Sequence, residues 1–305
     1  MGLQIGIGYR VASDHDMGGF AAMVEQLGYH SVWVGEHVAN WHRPMPTVIP
    51  ALGAFAACTK RITIGSAVLL LPLRNPTLLA KELATLDLMS DGRLAVGVGL
   101  GGENPSEYAA CGVPVHERGG RADEMLPLLR RLWREETVSH QGKYFSLQDV
   151  SIDPRPQPTG PPIYVAGRQD AALRRAARYG DGFLPYLFTP EQYAAAFSKV
   201  RSFAEQYGRA LAGFQGALYQ FIFVAETASE ARHTAIEAMS IDYNQDFTKL
   251  ADRFCVLGTP DQCIARLREY SDAGASHIVL APATSDNQAR DQIGLIAREV
   301  LPALV

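Results

Sequence analysis

The feature that most constrains this chain is an alternation. A short apolar run, often rich in β-branched residues, is followed by a longer amphipathic segment, and the pattern recurs eight times from end to end. The strand segments fall at residues 3–8, 31–34, 61–70, 94–98, 163–166, 182–185, 218–225 and 277–280. A strand covered by helices must be apolar throughout rather than at every second position. Residues 94–98 (Leu-Ala-Val-Gly-Val) and 278–280 (Ile-Val-Leu) read that way. Helical spacing predicts helices over 16–27, where Phe20, Met23, Val24 and Leu27 share a face, and over 47–58, 77–89, 121–134, 170–179, 190–207, 229–239, 260–273 and 291–301. Residues 139–162, rich in Pro, Gln and Gly, read as an excursion over the surface, and 250–258 as an irregular link. A chain of 305 residues that is 47% hydrophobic can bury a large core. The expected fold class is α/β: a single (β/α)8 TIM barrel over 1–305, with insertion segments at its C-terminal face. An open doubly wound sheet is the alternative.

Charge excludes some functions. A formal net charge of −4 without a basic cluster gives no surface for nucleic acid. The longest apolar run, 67–72, is strand-sized, far short of the roughly 18 residues of a membrane span. The first residues lack the basic start of a secretory signal, and Gly6 stands where a myristoylation signal needs Ser or Thr. A cytoplasmic protein with no membrane partner is expected. Cys58, Cys111, Cys255 and Cys263 form no C-x-x-C pair, so they are read as reduced thiols packed as small apolar groups.

A barrel of this kind carries its chemistry where the strands end. Tyr9 follows the first strand. Glu36-His37, then Asn40, Trp41 and His42, follow the second. Arg74-Asn75-Pro76 comes after the third, Gly99 to Asn104 after the fourth, Gly167-Arg168-Gln169-Asp170 after the fifth and Tyr186 after the sixth. Glu36-His37 is the sharpest of these. A histidine titrates near neutral pH, and an adjacent carboxylate can orient it, although such pairs are also common as solvated loop residues. Glu36, His37 and His42 lack metal-ligand spacing, so no metal is expected. Residues 97–102 spell G-x-G-x-x-G, but no acid-bearing strand follows where a dinucleotide site requires one. These glycines are read as permitting close approach to a flat ligand or a tight turn. Gly167-Arg168-Gln169 opens a helix whose free N–H groups suit a phosphate, with Asp170 as the alternative capping residue. No G-x-S-x-G is present to support a hydrolase.

Taken in order, several segments resemble the bacterial luciferase-like family of flavin- and F420-dependent oxidoreductases. They are Gly28-Tyr29-His30-Ser31-Val32-Trp33-Val34-Gly35-Glu36-His37, Ile62-Thr63-Ile64-Gly65-Ser66, Arg74-Asn75-Pro76, Ser90-Asp91-Gly92-Arg93, and Ala177-Arg178-Tyr179-Gly180-Asp181-Gly182. The resemblance covers essentially the whole chain. It implies a TIM barrel holding FMN or coenzyme F420, with His37 at the reactive edge of the ring, Glu36 orienting it and Glu103 as a second proton donor. It implies a non-prolyl cis peptide near Val68, Leu69 and Leu70 supporting the ring, close approach at Gly99, and the cofactor phosphate at Gly167, Arg168 and Gln169, where relatives often carry Ser. Tyr9, Trp41 and Tyr186 would line the substrate pocket, and Trp41 matches a tryptophan of the F420 branch. The main expectation is an FMN-dependent monooxygenase using reduced flavin, supplied by a partner reductase, and dioxygen on a small organic substrate. The alternative is hydride transfer between F420 and a small organic substrate, and the lesser one is a non-catalytic flavin-binding protein. A homodimer is the implied assembly.

Overall fold

The computed structural model of the chain describes every residue except Met1, residues 10–15, Asn40, residues 42–43, Glu103, Thr159 and Val305. Among the described residues the strands are β1 (Gln4–Gly8), β2 (Ser31–Val34), β3 (Thr63–Ser66), β4 (Leu69–Leu70), β5 (Leu94–Gly99), β6 (Val138–Gln141), β7 (Ser146–Val150), β8 (Ile163–Val165), β9 (Gly182–Phe183), β10 (Gln215–Val224), β11 (Cys255–Gly258) and β12 (His277–Pro282). The helices are α1 (Met17–Gln26), α2 (Val48–Cys58), α3 (Pro76–Met89), α4 (Pro105–Ala110), α5 (Arg118–Arg134), α6 (Asp170–Tyr179), α7 (Pro190–Gln206), α8 (Ala228–Tyr243), α9 (Ala251–Phe254), α10 (Pro260–Asp272) and α11 (Asp286–Glu299).

Strands β1, β2, β3, β5, β8, β9, β10 and β12 follow one another in parallel, and β12 pairs back onto β1, Ile5 opposite Ile278 and Ile7 opposite Leu280. The sheet is therefore a closed eight-stranded barrel. Closure leaves no open edge among these strands, and the helices cover its outside. Local sequence explains how several helices start. Thr189 and Thr259 each form a capping box, with Gln192 and Gln262 returning the bond, and a proline follows each at the first helical position. Asn75 caps α3 by accepting from the N–H groups of Thr77 and Leu78.

Three segments differ from the sequence expectation. Residues 139–162 hold most of an antiparallel hairpin, β6 with β7, fastened to α5 by Glu124, whose carboxylate accepts from the N–H groups of Lys143, Tyr144 and Phe145 and meets His140. Residues 250–258 are not an irregular link. They form α9 and β11, and β11 pairs with the outer half of β10. Residues 105–110, over which the sequence predicted no helix, form α4. These elements are short, and their existence depends on tertiary partners rather than on periodicity.

The lower half of the barrel is filled by large rings that fit because neighbouring strands carry glycine. Trp33 and Tyr164 meet edge to face at 5.7 Å. A Cβ on Gly65 would lie 2.3 Å from the Trp33 ring, and one on Gly182 would lie 2.4 Å from the Tyr164 ring. Beneath them the Trp33 indole N–H donates to the Ser31 hydroxyl (2.7 Å), which lies 2.7 Å from His277 Nε2. These side chains fill the barrel interior at this end, opposite the C-terminal mouth.

Candidate active site

Strand β2 ends at Val34 and delivers Gly35-Glu36-His37 to the mouth. A Cβ on Gly35 would lie 2.7 Å from the Ala67 carbonyl oxygen, so glycine lets this turn run against the segment after β3. That segment contains the Ala67–Val68 cis peptide, at the edge of the region expected from the family resemblance. Val68 faces the barrel interior. A Cβ on Gly99, at the end of β5, would lie 2.4 Å from Val68 Cγ2, so Gly99 gives Val68 its place. Leu69 instead packs in the core between barrel and helices, and Leu70 contributes its backbone N–H to Glu36. Of the three residues expected to support a ring, Val68 packs against the interior cluster, Leu69 lies in the helix-facing core, and the buried Leu70 side chain lies beside Gly101.

Glu36 does not orient His37. Its buried carboxylate accepts from the N–H of Val48 (2.9 Å), the N–H of Leu70 (2.9 Å) and the guanidinium of Arg74 (2.5 Å). The expected catalytic pair is therefore a brace joining the β2 loop, the start of α2 and the segment after β3. The sequence reading failed because adjacency along an extended chain turns neighbouring side chains to opposite sides. The acid that meets His37 is Glu107 of α4, with Oε2 3.3 Å from Nδ1. Its other oxygen accepts from the Val38 N–H. Nothing in periodicity marks a six-residue helix, but Asn104-Pro105, a capping residue followed by proline at the first helical position, was a readable start signal.

His37 is part-buried, and its ring lies flat on Trp41, with centroids 3.5 Å apart and planes 7° from parallel. The Asn104 amide donates to the Ala39 carbonyl (3.1 Å) and Tyr108 Oη to that of Leu100, so α4 is tied to both loops beside the histidine. Tyr9, expected in the substrate pocket, packs edge-on against Phe20 (4.9 Å) and Phe55 (5.8 Å) in the helix layer. Alternation along β1 turns it outward, while Gly6 and Gly8 face in. Tyr186 is at the mouth, bridged to Tyr219, with the Arg168 guanidinium 5.1 Å from its ring centre. Gly167 adopts φ +132°, and α6 begins at Asp170 with Gln169 as its cap residue. Asp170 does not cap and instead meets Lys199 at 2.9 Å. The glycine run lies on β5 and the turn after it, where Gly101 and Gly102 take φ +60° and +106°, and it opens no long helix. Glu103, Asn40 and His42 lie outside the described residues. Among the described residues no cluster of three metal-ligating side chains occurs, and no helix is long and apolar enough to cross a membrane.

The sequence profile of luciferase-like monooxygenases matches residues 6–277. The chain belongs to that luciferase-like family. Among relatives, F420-dependent glucose-6-phosphate dehydrogenase of Amycolatopsis mediterranei (strain U-32) is 30% identical, the match covering 90% of this chain and 91% of that protein. Monooxygenase RslO1 from Streptomyces bottropensis superposes with a TM-score of 0.84 at 27% identity over 98% of this chain and 99% of that one. An F420-dependent secondary alcohol dehydrogenase in complex with an F420-acetone adduct superposes with a TM-score of 0.85 at 22% identity over the full length of both chains, a likeness of fold. As a luciferase-like protein the chain is an oxidoreductase, and the mouth that holds His37 is its candidate active site.

Proposed function

We propose that the chain is an F420-dependent oxidoreductase that transfers hydride between F420 and a small organic substrate. This reverses the order of the two sequence-based expectations. The observation that carries it is the stack of Trp41 on His37 at the mouth, because Trp41 is the residue that resembles the F420 branch. The relatives named F420-dependent glucose-6-phosphate dehydrogenase, at up to 30% identity among those compared, support the same reading.

The mouth fits a flat ring with an anionic tail. Val68, held over Gly99, offers an apolar shelf beneath a ring, and the stacked His37 and Trp41 stand above the strand ends. Exposed Arg168, beside the start of α6, gives the rim a positive charge suited to a phosphate. When bound, the deazaflavin supplies the hydride acceptor or donor. His37 takes the proton from a substrate hydroxyl in the oxidising direction and returns it in the reducing one. Trp41 walls the pocket and limits the ring motion of His37. Tyr186 lines the opposite side. Glu103 as a second proton donor and a homodimeric assembly belong to the same proposal.

A second reading, an FMN-dependent monooxygenase served by a reductase, is favoured by the likeness to monooxygenase RslO1. Titration of the purified protein with F420 and with reduced FMN, read by fluorescence, separates the two. Micromolar F420 binding with much weaker FMN binding is expected, followed by F420 reduction with glucose 6-phosphate or a secondary alcohol as hydride donor. Preference for FMN establishes the second reading, and binding of neither removes both.

A further inference from the structure

We propose that Glu107 is a positioning residue that sets the tautomer of His37, keeping the proton on Nδ1 and leaving Nε2 as the nitrogen that meets the substrate. The effect on turnover rests on the role proposed above for His37, but the tautomer itself does not.

The Glu107 side chain is 1% exposed, so its oxygens are satisfied by protein groups rather than by bulk water. One oxygen accepts from the backbone N–H of Val38, a group that can only donate. The other lies 3.3 Å from His37 Nδ1. A carboxylate has no hydrogen to give, so Nδ1 must carry one, and the lone pair of the neutral ring is then on Nε2. The ring cannot evade this by turning over. It is stacked on Trp41, and a flip about its axis would present carbon to the buried carboxylate. The surroundings suit an element built for this purpose: α4 has only six residues, yet Asn104 and Tyr108 tie it to the loops on either side of the histidine. Anchoring Val38 alone needs a single acceptor. The second oxygen is what distinguishes a tautomer-setting acid from a structural one.

Glu107→Gln tests this with little change of shape. Glutamine has one acceptor, which the Val38 N–H claims, so its NH2 group turns to Nδ1. Nδ1 must then accept, and the proton moves to Nε2. Nitrogen-15 spectra of histidine-labelled full-length protein, recorded without cofactor above the imidazole titration, read the tautomer directly, and His37→Ala identifies the signal. The expected result is Nδ1–H in the natural protein and Nε2–H in Glu107→Gln, with F420 affinity within about twofold and F420 reduction slowed by about 10²-fold or more, the scale of a misdirected acid–base group. Glu107→Asp, which keeps two acceptors, should retain Nδ1–H and recover part of the rate. An Nε2–H tautomer in the natural protein overturns the proposal even if the glutamine variant fails to fold. So does an unchanged tautomer in a folded Glu107→Gln, or a swapped tautomer with full turnover. Failure of F420 to bind would instead count against the cofactor assignment and leave the spectra to decide the role of Glu107.

Discussion

The two ends of the barrel each hold a histidine, and the two face opposite conditions. At the closed end His277 is buried at the start of β12, within hydrogen-bond distance of Ser31, which accepts from Trp33, and edge-on to His30 at 5.4 Å. Burial, and secondarily the neighbouring His30, push its pKa down to about 3, so it stays neutral and acts as a polar plug in the floor. At the open end His37 keeps 16% of its side chain exposed and has a carboxylate at one nitrogen and an aromatic plane against its face. A sealed imidazole with its hydrogen bond made contributes to stability. One with a free edge towards a ligand space can move protons. Residue type therefore does not assign function here. The end of the strand on which the residue sits, and what surrounds it, does.

The largest test of this contrast is His37→Ala. F420 reduction should fall by about 10²–10⁴-fold while the melting temperature stays nearly constant, as for loss of an acid–base group. Unchanged turnover would break the comparison. Glu36→Ala should act on stability instead. It strips the partner from Arg74 and from two backbone N–H groups, a loss of about 3–5 kcal/mol in chemical denaturation. A folded variant of full stability would return Glu36 to the list of chemical residues.

The floor histidine sharpens the contrast through pH. His277 has an ordinary value of 6.5 when unfolded and about 3 when folded. Its stability contribution is complete above 6.5. As pH falls below that value the unfolded chain takes up a proton that the folded one refuses, so stability declines by up to about 1.4 kcal/mol per pH unit until the folded value is passed. Denaturation midpoints of His277→Gln between pH 4 and 7 should lose that slope. An unaltered slope would show that other groups govern the acid limb. The smallest effects come from paired glycines. A Cβ on Gly6 would lie 2.1 Å from Ser31 Oγ, so Gly6→Ala should cost about 1–3 kcal/mol of stability by overpacking the floor and leave F420 affinity intact. Gly99→Ala should displace Val68 and weaken F420 binding by about tenfold, some 1.4 kcal/mol, in the same titration. Reversal of the two outcomes would mean that ligand space lies elsewhere.

The sequence was most informative where structure is local. The Ser31–Val34 strand and the Asp170–Tyr179 helix fall within their predicted bounds, and the helices with capping boxes start where Thr-Pro places them. It was least informative where an element exists only through a partner. Strand β11 is four residues that become a strand by pairing with β10, and α4 is six residues tied to its neighbours.

By itself, then, the sequence determined the barrel, because buried strands and their covering helices impose periodicities that survive in one dimension. It also determined that the mouth carries His37 and Trp41, because both follow the same strand end. Only the tertiary structure decided which acid serves His37. Glu36 is its neighbour in sequence and Glu107 lies 70 residues away, yet the extended turn after β2 sends Glu36 to Arg74 and the fold of α4 brings Glu107 to the ring. Hydrogen bonds are made between atoms about 3 Å apart in space. Separation along the chain does not limit them once a closed barrel has gathered the ends of its strands into one place.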